Sequence, residues 1–382
     1  MKLVFLAGHE FLSNQLVGGR QGSFKNYQLL SWIYGEENIY VVTFSNIDIS
    51  QKAKNVMAFP KHRNRVEQYY NCLFLRNGYS KSTEKKLIKY IATLQPDIIF
   101  FDSTFTGNLL TKIKKYYKNS MQIIAYLHNV EKNHVWDKVI HENILYFFPY
   151  LSYYKNEKAL LQRADYIMGL NMRDAIEVDR IYHRKMDYIL PVSYIDVFEE
   201  QKITQPEDRI TLLFVGAFFG PNNQGIQWFI ETVLPYCDNS VNLIIIGKDM
   251  EKLQRQLEGE RVTVVGTVLS TATYYYRADV VVLPILYGNG MKTKTAEAMM
   301  YGKYILGTKE AFEGYDIEAI DEMVVCANAV DFIREINAYT KNEKRSRFYD
   351  SVRNRFLEKY EHNAVKNDFK QFMKNIYNKA QE

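Results

Sequence analysis

Apolar positions in this chain come in two patterns that take turns. Short apolar strand-like runs lie at residues 3–7, 39–44, 97–101, 122–127 and 166–169. Runs of that length without alternation are what strands buried on both faces of a parallel sheet require. Between them, residues 24–34, 83–94 and 109–118 carry apolar side chains three or four apart with charged positions on the other side, which is the helical period. Strand and helix in alternation predict a doubly wound α/β domain. A second series repeats the pattern, with strands at 210–215, 241–246, 262–265, 279–283 and 304–307 and helices at 224–234 and 292–300. The last stretch, 348–380, is helical by period, with Phe356, Tyr360, Val365, Phe369, Phe372 and Ile376 as its apolar stripe. The expected organisation is therefore a first domain at 1–195, a linker at 196–209 whose polar part contains Pro206, a second domain at 210–355, and a helix at 356–382 packing back toward the first domain.

Length agrees with this division, because 382 residues exceed what one hydrophobic core supports. Apolar residues at 47% and charged residues at 24% are ordinary for a folded globular chain and exclude extended disorder. Cys72, Cys237 and Cys326 are far apart, form no CxxC and have no histidine pair nearby, so they read as reduced core residues rather than zinc ligands. The first apolar run stops at His9 and Glu10, too short for a signal peptide, and no run is long enough to span a bilayer. A cytosolic protein is the expectation, with peripheral contact on the inner membrane face left open.

Charge is uneven. Residues 1–200 hold 26 Lys and Arg against 20 Asp and Glu, and the remainder holds 23 against 24. Clusters in the first half, Lys61, Arg63 and Arg65, then Lys112, Lys114, Lys115 and Lys118, have two readings: solvated helix faces, or contacts to anionic lipid or a phosphorylated acceptor. The aromatic and basic stretch around Phe147, Phe148, Tyr150, Tyr153, Tyr154, Lys155 and Lys158 likewise reads as an interior helix packed on the sheet or as a membrane-facing surface. Aromatic residues are scattered and form no basic-aromatic module, so nucleic acid is not expected as a partner. Neither Gly8 nor Gly216 begins a GxGxxG run, which disfavours a dinucleotide oxidoreductase.

The most informative segment is 283–302. A buried strand ends at Leu283-Pro284, a loop with Gly288 and Gly290 follows, and a helix opens at Lys292-Thr293-Lys294. Glycines let the backbone approach an anion, and a helix N-terminus presents N–H groups and a positive dipole to it, which suits a diphosphate. Lys292 and Lys294 are unfavourable to that dipole unless an anion is bound between them. Glu297, one turn on, is placed to accept both hydroxyls of a ribose. A surface helix with Lys294 and Glu297 simply paired is the plainer alternative.

These residues resemble glycosyltransferase family 4 and its close relatives, in which a strand ending in proline leads to a glycine loop, basic residues and a Glu-Ala-Met-x-x-Gly helix, here Glu297 to Gly302. The resemblance continues in Gly266-Thr267-Val268, in Thr308 followed by Glu313-Gly314, and in Phe214-Val215-Gly216-Ala217 followed by Pro221-Asn222 and Gly225. In the first half it is carried by Gly18-Gly19, by His128-Asn129-Val130-Glu131 at a strand end, and by Leu190-Pro191-Val192. It implies a GT-B fold, two Rossmann-like domains facing across a cleft. It also implies a nucleotide diphosphate sugar donor, UDP or GDP, and transfer to a glycan or lipid-linked acceptor in bacterial surface polysaccharide synthesis.

Carried over position by position, the resemblance gives His128, Lys294 and Glu297 catalytic roles, with His128 facing the transferred sugar. Donor contacts are expected at Gly18, Gly19, Gly216, Asn222, Gly266, Val268, Asn289, Gly290, Met291, Lys292 and Thr293. The sequence departs from the family where Asn289 stands in place of the first glutamate of a Glu, seven residues, Glu pattern. It departs again where Ala217, Phe218 and Gln224 replace the usual Arg and Lys. Lys292 and Lys294 are then expected to neutralise the diphosphate, with retention of configuration and with neither metal nor cofactor. A protein that binds nucleotide sugar without transferring it, and a nucleotide-sugar epimerase, are the alternatives.

Overall fold

The structure, a computed structural model, describes residues 1–12, 19–46, 49, 53–62, 64–116, 121–141, 143–288 and 290–381. The chain divides into two units, residues 1–190 with 366–382, and residues 191–365.

In the first unit the strands are β1 (Leu3–Leu6), β2 (Ile39–Phe44), β3 (Val56–Phe59), β4 (Ile98–Phe101), β5 (Gln122–Leu127), β6 (Tyr166–Gly169) and β7 (Tyr188–Ile189). They form one parallel sheet in the order β3-β2-β1-β4-β5-β6-β7. The helices are α1 (Gly19–Tyr34), α2 (Arg65–Leu73), α3 (Lys81–Leu94), α4 (Asn108–Tyr116), α5 (Glu131–His141), α6 (Phe147–Leu161) and α7 (Met172–Tyr182). Asn64, Ser80 and Asn171 cap α2, α3 and α7 by accepting from the backbone three residues on, which fixes where those helices start. The central strands are buried on both faces, with Val4, Leu6, Ile99, Phe101, Ile123 and Leu127 in one core layer.

Buried Glu157 of α6 fastens three further elements, α5, α7 and the turn at Thr104. Its carboxylate accepts from the backbone N–H of Glu131 at 2.8 Å and of Lys132 at 3.3 Å, from Thr104 Oγ1 at 2.9 Å and from Tyr182 Oη at 2.5 Å. The orphan amides at the start of α5 are thereby satisfied by a side chain from another helix. Burial and the neighbouring Glu157 together hold the Glu131 carboxyl well above the usual carboxylate range. Helix α6 resolves the two readings of its sequence into two faces. Pro149, Ser152, Asn156, Leu160 and Leu161 are buried, while Phe147, Phe148, Leu151, Lys155 and Lys158 are exposed.

The second unit repeats the plan with β8 (Ile210–Val215), β9 (Val241–Ile246), β10 (Val262–Gly266), β11 (Val280–Leu283), β12 (Tyr304–Gly307) and β13 (Met323–Val325), parallel in the order β10-β9-β8-β11-β12-β13. Its helices are α8 (Gly220–Thr232), α9 (Gln254–Leu257), α10 (Ala272–Arg277), α11 (Thr293–Met300), α12 (Ala329–Lys341) and α13 (Asp350–Lys359). All three cysteines are buried and unpaired.

Three boundaries differ from the sequence expectation. The division falls after Leu190 rather than after residue 195. The stretch expected as a linker is packed on the second unit: the Phe198 ring stacks on Phe348 at 5.2 Å, and Thr204 Oγ1 donates to the Tyr276 carbonyl at 2.9 Å. The final helical stretch is two helices, α13 and α14 (His362–Gln381), separated at Tyr360 and Glu361. From Lys366 on, α14 belongs to the first unit, where the Phe372 ring lies 4.4 Å from that of Tyr188 and the Met373 carbonyl accepts from Tyr34 Oη.

Candidate active site

In a doubly wound sheet, ligands bind beyond the carboxyl ends of the strands where the strand order reverses. In the second unit that point lies between β8 and β11, and two of the glycine-bearing loops singled out in the sequence converge there. Gly216 directly follows β8, and residues 284–292 connect β11 to α11. Gly288 has φ of 149° and Gly290 of 69°, values a side chain would strain, so both glycines are required by the turn itself.

Lys294 is buried, 8% exposed, in the first turn of α11. Its Nζ donates to Asn222 Oδ1 at 2.6 Å and lies 4.6 Å from the centre of the Phe214 ring. Burial, and secondarily the charge of Lys292, push its ammonium down to about 7 against the pull of Glu297. A methyl group at Gly216 would stand 3.0 Å from Lys294 Nζ, from Asn222 Nδ2 and from the Phe214 ring. Gly216 thus leaves the space that Lys294 occupies. Asn222 is held in turn by donating to the Ala217 carbonyl at 2.8 Å. At Gly225 the backbone of α8 passes so close to the β11 exit that an added Cβ would be 1.9 Å from the Pro284 oxygen.

The plainer alternative of an exposed Lys294 and Glu297 pair is therefore replaced by a buried lysine aimed at α8. Glu297, half-buried, accepts from Tyr275 Oη at 3.2 Å. Lys292, expected to share in neutralising an anion, is engaged by protein: its Nζ donates to the Gly290 carbonyl at 2.7 Å and to Glu310 Oε1 at 2.6 Å. Glu310, in the turn after β12, is a residue the sequence reading missed. It supplies a carboxylate to the loop in which Asn289 has lost one. Met291 is buried and Thr293 exposed. Gly266, with φ of 78°, and Thr267 form a turn locked by Glu251, whose carboxylate accepts from the Thr267 N–H at 3.0 Å, and Val268 is half-buried beside it. Gly18 and Asn289 lie outside the described residues.

In the first unit the corresponding point lies between β1 and β4. Asp102 follows β4 and His128 follows β5, and the two meet with His128 Nε2 at 3.2 Å from Asp102 Oδ2. Asn26 Nδ2 donates to the other carboxylate oxygen at 2.8 Å. Ser23 Oγ lies 3.3 Å from His128 Nε2 and 3.2 Å from His9 Nε2, so the α1 hydroxyl bridges two imidazoles. Burial pushes His9 down to about 4, an effect Asp102 opposes only in part, which leaves His9 neutral at physiological pH. An added Cβ at Gly22 would stand 3.0 Å from the His128 ring, so α1 approaches that ring as closely as only glycine permits. Gly19 is the first residue of α1. The fold thus brings His128 together with Asp102, Asn26, Ser23 and His9, none of which the sequence reading assigned to a site. Among the described residues, no three His, Cys, Asp or Glu side chains gather where they would hold a metal ion.

Residues 209–342 match the family model described as "Glycosyl transferases group 1". A protein of Klebsiella pneumoniae, named as an uncharacterized 44.6 kDa protein in the cps region, is 22% identical over 353 residues, 85% of this chain and 87% of that one. Among solved structures, the lipopolysaccharide outer core galactosyltransferase WaaB in its apo form is similar with a TM-score of 0.69 at 14% identity, covering 98% of this chain and 100% of that one. Anabaena Alr3699/HepE in complex with UDP gives 0.67 at 11% identity, with the same coverage. At these identities the structures establish the fold, and the family match assigns the second unit's domain type. The chain has the GT-B fold, and residues 209–342, most of its second unit, match a group 1 glycosyl transferase domain.

Proposed function

We propose that the second unit binds a nucleoside diphosphate sugar at the β8 and β11 strand ends, and that the sugar passes to a growing glycan on a lipid carrier. The observation that carries the reading is Lys294: a lysine buried at a helix N-terminus, beside a glycine loop and short of a full charge partner, calls for an anion. Two further facts support it. HepE is a neighbour solved with UDP, and the Klebsiella relative is named for a cps region.

In this reading the α11 N-terminus and Lys294 stabilise the charge that develops on the departing diphosphate. Glu297, oriented by Tyr275, takes the ribose hydroxyls. The Gly266 to Val268 turn lies along the base. Lys292, braced by Glu310, faces the sugar end of the donor together with Gly290. The bond from the anomeric carbon to the phosphate oxygen breaks as a bond to the acceptor oxygen forms, and the acceptor proton passes to the leaving phosphate, which accounts for retention without a metal. His128, held by Asp102, is assigned to the transferred sugar.

A thermal-shift screen of the purified protein against UDP-, GDP-, dTDP- and CMP-sugars, with and without EDTA, tests this directly. Selective stabilisation by one diphosphate, retained in EDTA and abolished in Lys294→Ala, is the expected result. Stabilisation that persists in Lys294→Ala would overturn the assignment.

A further inference from the structure

Two stretches that are far apart in sequence, helix α2 and helix α6 with its aromatic run 147–158, become neighbours in the first unit. Helix α2 begins at Arg65 and packs along α6, where Ser152 Oγ donates to Asn77 Oδ1 at 2.8 Å and Asn156 Nδ2 donates to the Leu75 carbonyl at 3.2 Å. What α2 turns inward is partly polar, since Asn71 is buried along with Cys72. What it turns outward is apolar: Val66, Tyr70, Leu73 and Phe74 form one helical stripe and are 78%, 61%, 62% and 47% exposed. An isolated surface helix shows the opposite arrangement.

The exposed apolar surface continues across the neighbouring elements. On α6 it comprises Phe147, Phe148 and Leu151, and on α5 Trp136 and Ile140. Ile144 and Leu145 join them from the turn between. Ring contacts join the α5 and α6 parts, with Trp136 to Tyr150 at 5.0 Å and Tyr150 to Phe147 at 6.1 Å, and α2 packs beside them on α6. Exposed apolar surface of this extent marks an interaction site.

The rim states what covers it. Lys155 and Lys158 follow Leu151 on the exposed side of α6, Lys132 Nζ stands 5.7 Å over the Tyr154 ring, and Lys61 lies on the approach to α2. Exposed Asp137 and half-buried Glu67 are the acidic groups of α5 and α2 that reach the surface, Glu131 being buried. A second copy of this chain meeting the same face across a twofold axis would set these lysines against one another. Aromatic side chains fringed by lysine, on helices lying in the surface, are instead the makeup of a face that rests at the headgroup level of an anionic bilayer. None of the described helices is long and apolar enough to cross one.

We infer that the outer faces of α2, α5 and α6 dock the protein peripherally on a membrane carrying anionic phospholipid. This rests on the proposed lipid-borne acceptor only for its purpose. The surface itself stands on exposure and charge.

Flotation of the full-length protein with vesicles of phosphatidylcholine, with and without phosphatidylglycerol, tests it. Binding should be about tenfold stronger with phosphatidylglycerol and weaken with salt. Leu73→Ser combined with Phe148→Ser should cut vesicle binding by about tenfold or more with an unchanged melting temperature. Lys155→Glu combined with Lys158→Glu should do the same without touching the apolar stripe. Failure of the parent protein to float with either vesicle, or unchanged binding in both variants, would overturn the inference. So would a concentration-dependent dimer in light scattering that the serine variants dissolve. Vesicle binding in a protein that no nucleotide sugar stabilises would remove the proposed function and leave the docking surface standing.

Discussion

Asn222 and Lys294 are 72 residues apart in the chain, and the carboxamide oxygen of one accepts from the ammonium of the other at 2.6 Å. The amide is neutral, so it aims the lysine without cancelling its charge. Replacing Asn222 by Ala should leave the melting temperature nearly unchanged and weaken nucleoside diphosphate binding about tenfold, the value of one lost hydrogen bond to a charged group. Asn222→Asp should weaken binding further, because it pairs the lysine internally. Titration calorimetry with UDP and GDP measures both, and tighter binding by the aspartate variant would contradict the role given to Lys294.

Binding should also depend on pH. Because Lys294 is held at about 7, the free protein loses its ammonium as pH rises above that value, while a bound diphosphate requires it. A proton must then be taken up on binding, and affinity should fall by up to about tenfold per pH unit between about 7.5 and 9. The diphosphate itself is fully ionised over that window. In Lys294→Met the slope should vanish; a slope that survives would place the titrating group elsewhere.

Two glycines should separate folding from binding. Gly225→Ala would drive a methyl into the Pro284 carbonyl, a backbone atom that cannot swing aside. A loss of about 3 kcal/mol is expected in urea unfolding. Gly216→Ala meets only the ends of Lys294 and Asn222 and the edge of Phe214, so stability should hold while nucleotide affinity drops. The reverse pattern would show that Gly216 serves the fold alone.

Asp102→Asn tests the first unit. The buried carboxylate fixes which imidazole nitrogen of His128 carries the proton. Its loss should lower turnover about a hundredfold, the scale of a misplaced group that positions the reacting sugar. Nucleotide affinity should stay within about twofold, since the α11 site is untouched. Steady-state kinetics and calorimetry on the same variant separate the two, and a parallel fall in both would point to a damaged fold instead.

Most of both sheets was legible in the sequence. Strands at 39–44, 122–127, 166–169, 210–215, 241–246 and 304–307 appear where the apolar runs placed them, because a strand covered on both faces has no polar alternative. The strands missed were β3, β7 and β13, at sheet edges, where Met57 and Val325 are exposed and the apolar signal is diluted. The single terminal helix was over-read because Phe356, Tyr360, Val365 and Phe369 keep one period across a real break. At the site, Gly288, Gly290, Lys294 and Glu297 were readable as a local loop and helix start. Asp102, Asn26, Ser23 and Glu310 were not, since each reaches its partner only through the parallel sheet or the turn after β12.

The return of the chain to the first unit after Val365 has a consequence for the order in which the protein is made. Every residue of the second unit leaves the ribosome before the strip that carries Phe369, Phe372 and Met373. The second sheet can close on its own core while the first still lacks the cover of Tyr166 and Tyr188. A nascent chain stalled before Lys366 would hold a finished second unit joined to an unfinished first one, and proteases would find the older half of the molecule the more vulnerable one.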